Sequence, residues 1–339
     1  MNRYWQAGDA CIRAQDQPAL VLDYAQSRGL AGHLLFSGTG LDCWDLPDAG
    51  HVITPEQYLR LLANAASGLK SADTSFQLGQ QMLPGHFGTI SLALTQAHSL
   101  RDAIGILCRY QLPLGPLLAT RFAEEGDLGI VYWTAGFGSS TMQGFVLEMQ
   151  MTAFSSMCRW LSGEKLPWRF CFNRTQPRYT EQFEVHLGQQ LRFNCQLDAM
   201  LIASAWLDRP WPRRNTTAAA IALRHAAPQA ERRAVLSAVH DYLLENIRRS
   251  PTLEEAASAF ALSPATLKRH LARHGSHFQA ELDQVRAHVA LMLMHRGHDN
   301  DAVARHLGYH DANNFRRSFK RWTGMTPLLL RQGLQAFTA

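Results

Sequence analysis

The sequence predicts two domains of different class: an α/β front domain over residues 1–207 and an all-α back domain over 233–335. Three observations point there. Strand-like runs occur only in the front half, a proline-broken, alanine-rich stretch over 208–232 interrupts the chain, and a pattern of short helices recurs in the tail at an offset of 47 residues. At 339 residues the chain exceeds the usual single-domain length, and its 46% hydrophobic content allows each half a core of its own.

In the front half, apolar spacing over 19–27, 55–66 and 100–110 predicts amphipathic helices, each opened by a proline or a capping residue. The runs 128–134 (LGIVYWT) and 169–172 are β-branched and aromatic with turn residues beside them, which predicts strands. The break follows. Pro210, Pro212 and Pro228 flank the Ala-rich turn over 216–223, and proline blocks helix continuation, so the linker is placed at 208–232.

Beyond the break, helix periodicity runs almost to the end. Val235, Val239, Leu243 and Ile247 share one stripe. The run Ser250 to Glu255 places hydroxyl residues before paired acids, a helix start. A helix start with an N-cap and proline at the first position is read at Ser263-Pro264, and its C-terminal stop at Gly275. From Ser276 to Met294 the residues Phe278, Leu282, Val285, Val289 and Met292 form the stripe of a connecting helix.

Residues 256–263 match 303–310 in type at the offset of 47, and beyond the turn Leu267, Arg269 and Leu271 match Phe315, Arg317 and Phe319 at 48. Small residues recur where two helices must cross closely. This describes two helix-turn-helix units, over about 253–274 and 301–321, each with a second helix able to enter a major groove. Gly308 suits a left-handed turn position, whereas its counterpart Ala261 carries a cost of about 1 kcal/mol there. If Leu267, Leu271, Phe315 and Phe319 face inward, Ala265, Lys268 and Arg269 in the first unit and Asn313, Asn314, Arg316 and Arg317 in the second fall on or beside the outer face. Arginine can donate twice to guanine and asparagine can pair with adenine. The bland alternative is a solvated basic face, and the duplication argues against it. A connecting helix of roughly 17 residues spans about 25 Å, enough to set two reading helices on successive grooves.

Charge agrees with this placement. From residue 231 onward there are 15 Lys and Arg against 10 Asp and Glu, so the whole net charge of +5 lies in the last third, where a polyanion would be met. Catalysis finds no purchase. Pairs such as His295 and His298, His270 and His274, or His306 and His310 lack a third ligand, and Gly38-Thr39-Gly40 lacks the rest of a dinucleotide loop. No enzyme activity, metal or cofactor is expected. The six cysteines show no metal-knuckle spacing and read as free thiols. No secretory leader or membrane span is read, and a cytoplasmic location is expected.

The segment Gly308-Tyr309 through Asn314-Phe315-Arg316-Arg317-Ser318-Phe319 to Thr326-Pro327 and Arg331 closely resembles the signature of the AraC family of bacterial regulators. The first unit is similar at Ala257, Leu262-Ser263-Pro264, Thr266-Leu267, Arg269, Leu271, Gly275, Phe278 and Arg286; the match departs at Ala261 in the first unit, where glycine is usual, and at His310 in the second, where a serine-like cap is usual. Stretches at 38–41, 53–58, 87–88 and 99–103 resemble the so-called arabinose-binding N-terminal domain of one branch, a label that does not specify a ligand. The resemblance implies a homodimeric regulator, an activator, that binds promoter DNA, contacts RNA polymerase and senses a small effector. It implies an amino-acid effector, ornithine first. The alternative is a regulator controlled by a partner protein with no small ligand. The effector residues are left open: Glu148, Arg159, Trp160 or Tyr132-Trp133 could line a pocket, with core packing the preferred reading.

Overall fold

Gly126 and Asp127 close a tight turn, Gly126 at φ +62°, and so Leu118–Glu125 and Leu128–Ala135 pair as an antiparallel hairpin. This hairpin is one end of a five-stranded sheet, continued by Ala199–Ala203, then Arg169–Cys171, then Leu191–Arg192, the last pair parallel and the others antiparallel. The strands expected at 128–134 and 169–172 are present. Leu118–Glu125 and Ala199–Ala203 were not anticipated: the first mixes charged and small residues without alternation, and the second is a short apolar run that periodicity does not separate from helix. The computed structural model describes residues 4–46, 48, 50–138, 141–226 and 232–331. Pro228 and residues 332–335, included in the expected linker and back domain, lie outside them.

The helices of the front unit form where their caps dictate. Thr54 and Gln57 make a reciprocal capping box ahead of Pro55, starting the helix Pro55–Leu69, and Ser99 caps Leu100–Arg109. The 20-residue helix Gln143–Ser162 buries Val146, Met149, Ala153, Phe154 and Met157. It packs closely on Thr74–Met82 because Gly79 has no side chain: a Cβ there would run into the Met149 carbonyl and Thr152.

The stretch expected to be a linker is largely part of the front unit, which extends to Ala234. Trp211 is buried and its backbone N–H donates to the His98 carbonyl at 2.8 Å, while the helix Thr216–Ala226 lays Ala219, Ala222 and Ala226 on Thr89–Thr95. Small side chains permit that close approach, so the alanine run is a packing surface. Sequence composition alone does not separate the two.

The back unit, Val235–Ala339, is helical throughout its described residues. Val235–Asn246 buries Val235, Val239 and Leu243 as expected. The connecting helix Phe278–His295 departs from a single stripe, since Ala287, His288, Val289, Ala290, Leu291, Leu293 and Met294 are all buried. Val235–Asn246, Asn300–His306 and Ala312–Thr323 all pack on it, and a helix covered on several sides is apolar nearly all round.

Candidate nucleic-acid interface

Each short helix of the back unit starts on a side-chain cap. Thr252 and Glu255 form a capping box for Leu253–Ala259, and Ser263 Oγ accepts from the Thr266 N–H at 3.1 Å to open Pro264–Arg273. In the second unit Asp299 caps Asn300–His306, and Asp311 accepts from the Asn314 N–H at 2.7 Å to open Ala312–Thr323. The cap of the second reading helix is therefore Asp311, one residue beyond His310. A carboxylate fills the place of the serine hydroxyl at the offset of 48.

The two turns are the same turn. Ala261 N–H donates to the Ser258 carbonyl at 3.0 Å and Leu262 N–H to Ala257 at 2.9 Å; 47 residues on, Gly308 N–H donates to Arg305 at 3.2 Å and Tyr309 N–H to Ala304 at 2.9 Å. Ala261 sits at φ +54° and Gly308 at +74°, so both occupy the left-handed region that closes the helix before it. Ala256, Ala257, Val303 and Ala304 are buried at the helix crossings.

Leu267, Leu271, Phe315 and Phe319 are buried, with the two phenylalanine rings 5.5 Å apart. Helical spacing then turns Ala265, Lys268 and Arg269 outward on the first reading helix, and Asn313, Asn314, Arg316 and Arg317 on the second, and all seven are exposed. Their local bonds differ. Arg316 donates to Asn313 Oδ1 at 2.5 Å and to the Ala312 carbonyl at 3.3 Å, and Asn314 Nδ2 donates to Asp311 at 3.0 Å. Arg317 has no hydrogen bond or ion pair with any described residue.

The second reading helix is braced from behind. Arg321 pairs with Asp283 of the connecting helix at 3.3 Å, and the Arg286 guanidinium lies 5.3 Å from the Tyr309 ring centroid. A further basic cluster escaped sequence reasoning because its members are far apart in the chain. Burial first, then the charges of Arg248, His298 and Arg296, hold His306 below the ordinary imidazole value. Arg273, exposed on the last turn of the first reading helix, adds to the basic surface.

In the front unit Arg159, one of the residues left open as pocket-lining, is exposed, and the others are otherwise employed. Tyr132 and Trp133 are core, Glu148 pairs with Arg174 at 2.8 Å, and Trp160 is exposed beneath the Arg213 guanidinium. A cleft of that unit lies elsewhere, with Trp5 and Arg232 among its walls. Among the described residues no three His, Cys, Asp or Glu side chains gather as a metal site requires, and no helix is long and apolar enough to cross a membrane.

Comparison with known proteins agrees with this geometry. Residues 29–211 match the family described as the arabinose-binding domain of AraC transcription regulator, N-term, and residues 256–333 match a helix-turn-helix domain. An HTH-type transcriptional regulator of Mycobacterium tuberculosis is 24% identical over 91% of this chain and 93% of its own. The ornithine utilization regulator of Pseudomonas aeruginosa is 26% identical over 74% of this chain and 76% of its own. The crystal structure of transcriptional regulator CdpR from Pseudomonas aeruginosa aligns over 76% of this chain and 86% of that one, with 19% identity and a TM-score of 0.38. The matched families and named relatives are transcription regulators, not enzymes.

Proposed function

Because the chain belongs to the AraC family of transcription regulators, in the branch with the so-called arabinose-binding domain, we propose that it activates genes of amino-acid utilisation in response to an amino-acid effector. The back domain reads promoter DNA through Ala265, Lys268, Arg269, Asn313, Asn314, Arg316 and Arg317 and contacts RNA polymerase. The front domain dimerises and senses the effector. Ornithine enters as a candidate through the name of one relative.

The observation that carries the DNA-reading part is the repeated turn, with the same two backbone bonds and the same left-handed residue at both copies. It gives two second helices of one construction, each presenting arginine or asparagine outward, as base reading requires. An effector shifts such a regulator only by binding its states differently.

Footprinting the full chain on its own promoter region, with and without ornithine and the common amino acids, tests the reading. The expected result is sequence-selective protection at moderate salt that changes with one amino acid. A ligand held at 100 times its Kd also adds about 2.7 kcal/mol to stability. Selective DNA binding that no amino acid alters, with an unmoved melting temperature, would favour control by a partner protein. Equal affinity for all DNA sequences would overturn base reading itself.

A further inference from the structure

The front unit contains a cleft of about 480 Å³, within the size range of small-molecule pockets, whose walls include Trp5, Arg13, Asp16, Gln17, Leu112 and Arg232. Its polar groups are unequally employed. Gln17 is committed: Nε2 donates to the Leu114 carbonyl at 2.9 Å and Oε1 accepts from the Tyr58 hydroxyl at 3.2 Å. Asp16 is only 3% exposed, and its Oδ1 is buried without a hydrogen bond, the nearest guanidinium nitrogen being that of Arg13 at 3.5 Å. A buried carboxylate oxygen that accepts nothing is costly, so this wall calls for a donor. Burial pushes the Asp16 carboxyl above its ordinary range, against the opposing pull of Arg13 and His86. An arriving cation would reverse that.

The opposite demand comes from the arginines. Among the described residues of the lining, Arg13 and Arg232 set two guanidinium groups against one carboxylate, Asp16, and Arg232 rests 4.8 Å from the Trp5 ring centroid. An occupant must therefore bring one carboxylate for the guanidinium groups and one strong donor for Asp16. Ile12, Leu112, Pro113 and Pro116 supply an apolar wall for its carbon body.

We propose that this cleft binds a free α-amino acid with an uncharged side chain, its ammonium on Asp16 and its carboxylate on Arg13 and Arg232. The inference rests on the proposed control by an amino acid and sharpens it. A second ammonium, as in ornithine, would find no second carboxylate among the described residues of the lining and would add to their positive surplus.

The position also offers a route for the signal along the chain. Trp5 pairs with Ala234 in a two-residue parallel strand pair, too short to be stable by itself, and Val235 opens the first helix of the back unit. A ligand joining Asp16 to Arg232 fastens that pair.

Titration calorimetry on the full chain with norvaline, leucine, methionine and ornithine tests the assignment, norvaline being ornithine without its terminal amine. At least one neutral amino acid should bind about tenfold or more tightly than ornithine, the margin expected for one unpaired charge. Asp16→Asn and Arg232→Met should each weaken that ligand by about tenfold or more, as loss of a charge-assisted bond does. Arg232 is partly exposed, so its variant remains informative should Asp16→Asn fail to fold. Unchanged affinity in Arg232→Met would place the ligand elsewhere and overturn the site while leaving amino-acid control standing. Preference for ornithine would overturn the charge argument. If the wild-type chain binds no amino acid at all, the proposed amino-acid control fails first.

Discussion

At the scale of single residues, two arginines of the back unit should behave differently. Arg317 is exposed on the second reading helix with no described partner, and base reading is the role proposed for it. Arg317→Ala is expected to cost about 1–3 kcal/mol on the best site and to relax one base position, measured by competition binding across a set of operator variants. Arg248 is exposed, its charge close enough to lower the His306 imidazole, and a phosphate contact is the role proposed for it. Arg248→Ala should weaken all sequences alike and reduce the salt slope by about one. An equal loss on random and specific DNA for Arg317→Ala would remove it from the base-facing set. The strained alanine makes a second case. Ala261 at φ +54° carries a steric cost that glycine lacks, set against glycine's extra freedom in the unfolded chain. Denaturant melts of Ala261→Gly should show unchanged stability or a gain of up to about 1 kcal/mol.

At the scale of elements, the first turn of the connecting helix carries an acid whose environment opposes its charge. Glu281 is 7% exposed, and burial raises its carboxyl above the ordinary range despite the Ser276 hydroxyl bonded to it and the nearby His277. Its stabilising contribution is therefore complete below the unfolded value near 4.5 and is lost as pH rises through the raised folded value. Glu281→Gln cannot ionise. Its stability should decline less with pH than wild type, so the variant gains on wild type as pH climbs past the ordinary glutamate range. Melts at a series of pH values check this, and parallel curves would show that Glu281 ionises without cost in the fold.

The connecting helix also sets the scale of the back unit as a DNA reader. Its 18 residues span about 27 Å, of the same order as the separation of roughly 34 Å between successive major grooves on one face of a duplex. One chain is then expected to protect two patches about one helical turn apart, seen by hydroxyl-radical footprinting. Inserting about five base pairs between the patches turns the second site to the opposite face, and affinity should fall toward that of a single unit. Undiminished affinity would show that the units do not engage together.

The division between what the sequence held and what the fold added follows from the range of the interactions. Caps, turns and inward stripes act over three to five residues, so Thr54, Ser99, Thr252 and Ser263, the left-handed Ala261 and Gly308, and the buried Leu267, Leu271, Phe315 and Phe319 could all be read from local order. The sequence by itself therefore determined the doubled reading motif and its outward residues. Only tertiary structure decided that the alanine run over 216–226 packs against Thr89–Thr95, that the connecting helix is buried on several sides, and that Asp16 and Arg232 line one cleft. Those outcomes depend on which surfaces meet between elements that local order does not link, over a hundred residues apart for the alanine run and for Asp16 and Arg232, and which element covers an apolar face leaves no signature in neighbouring positions.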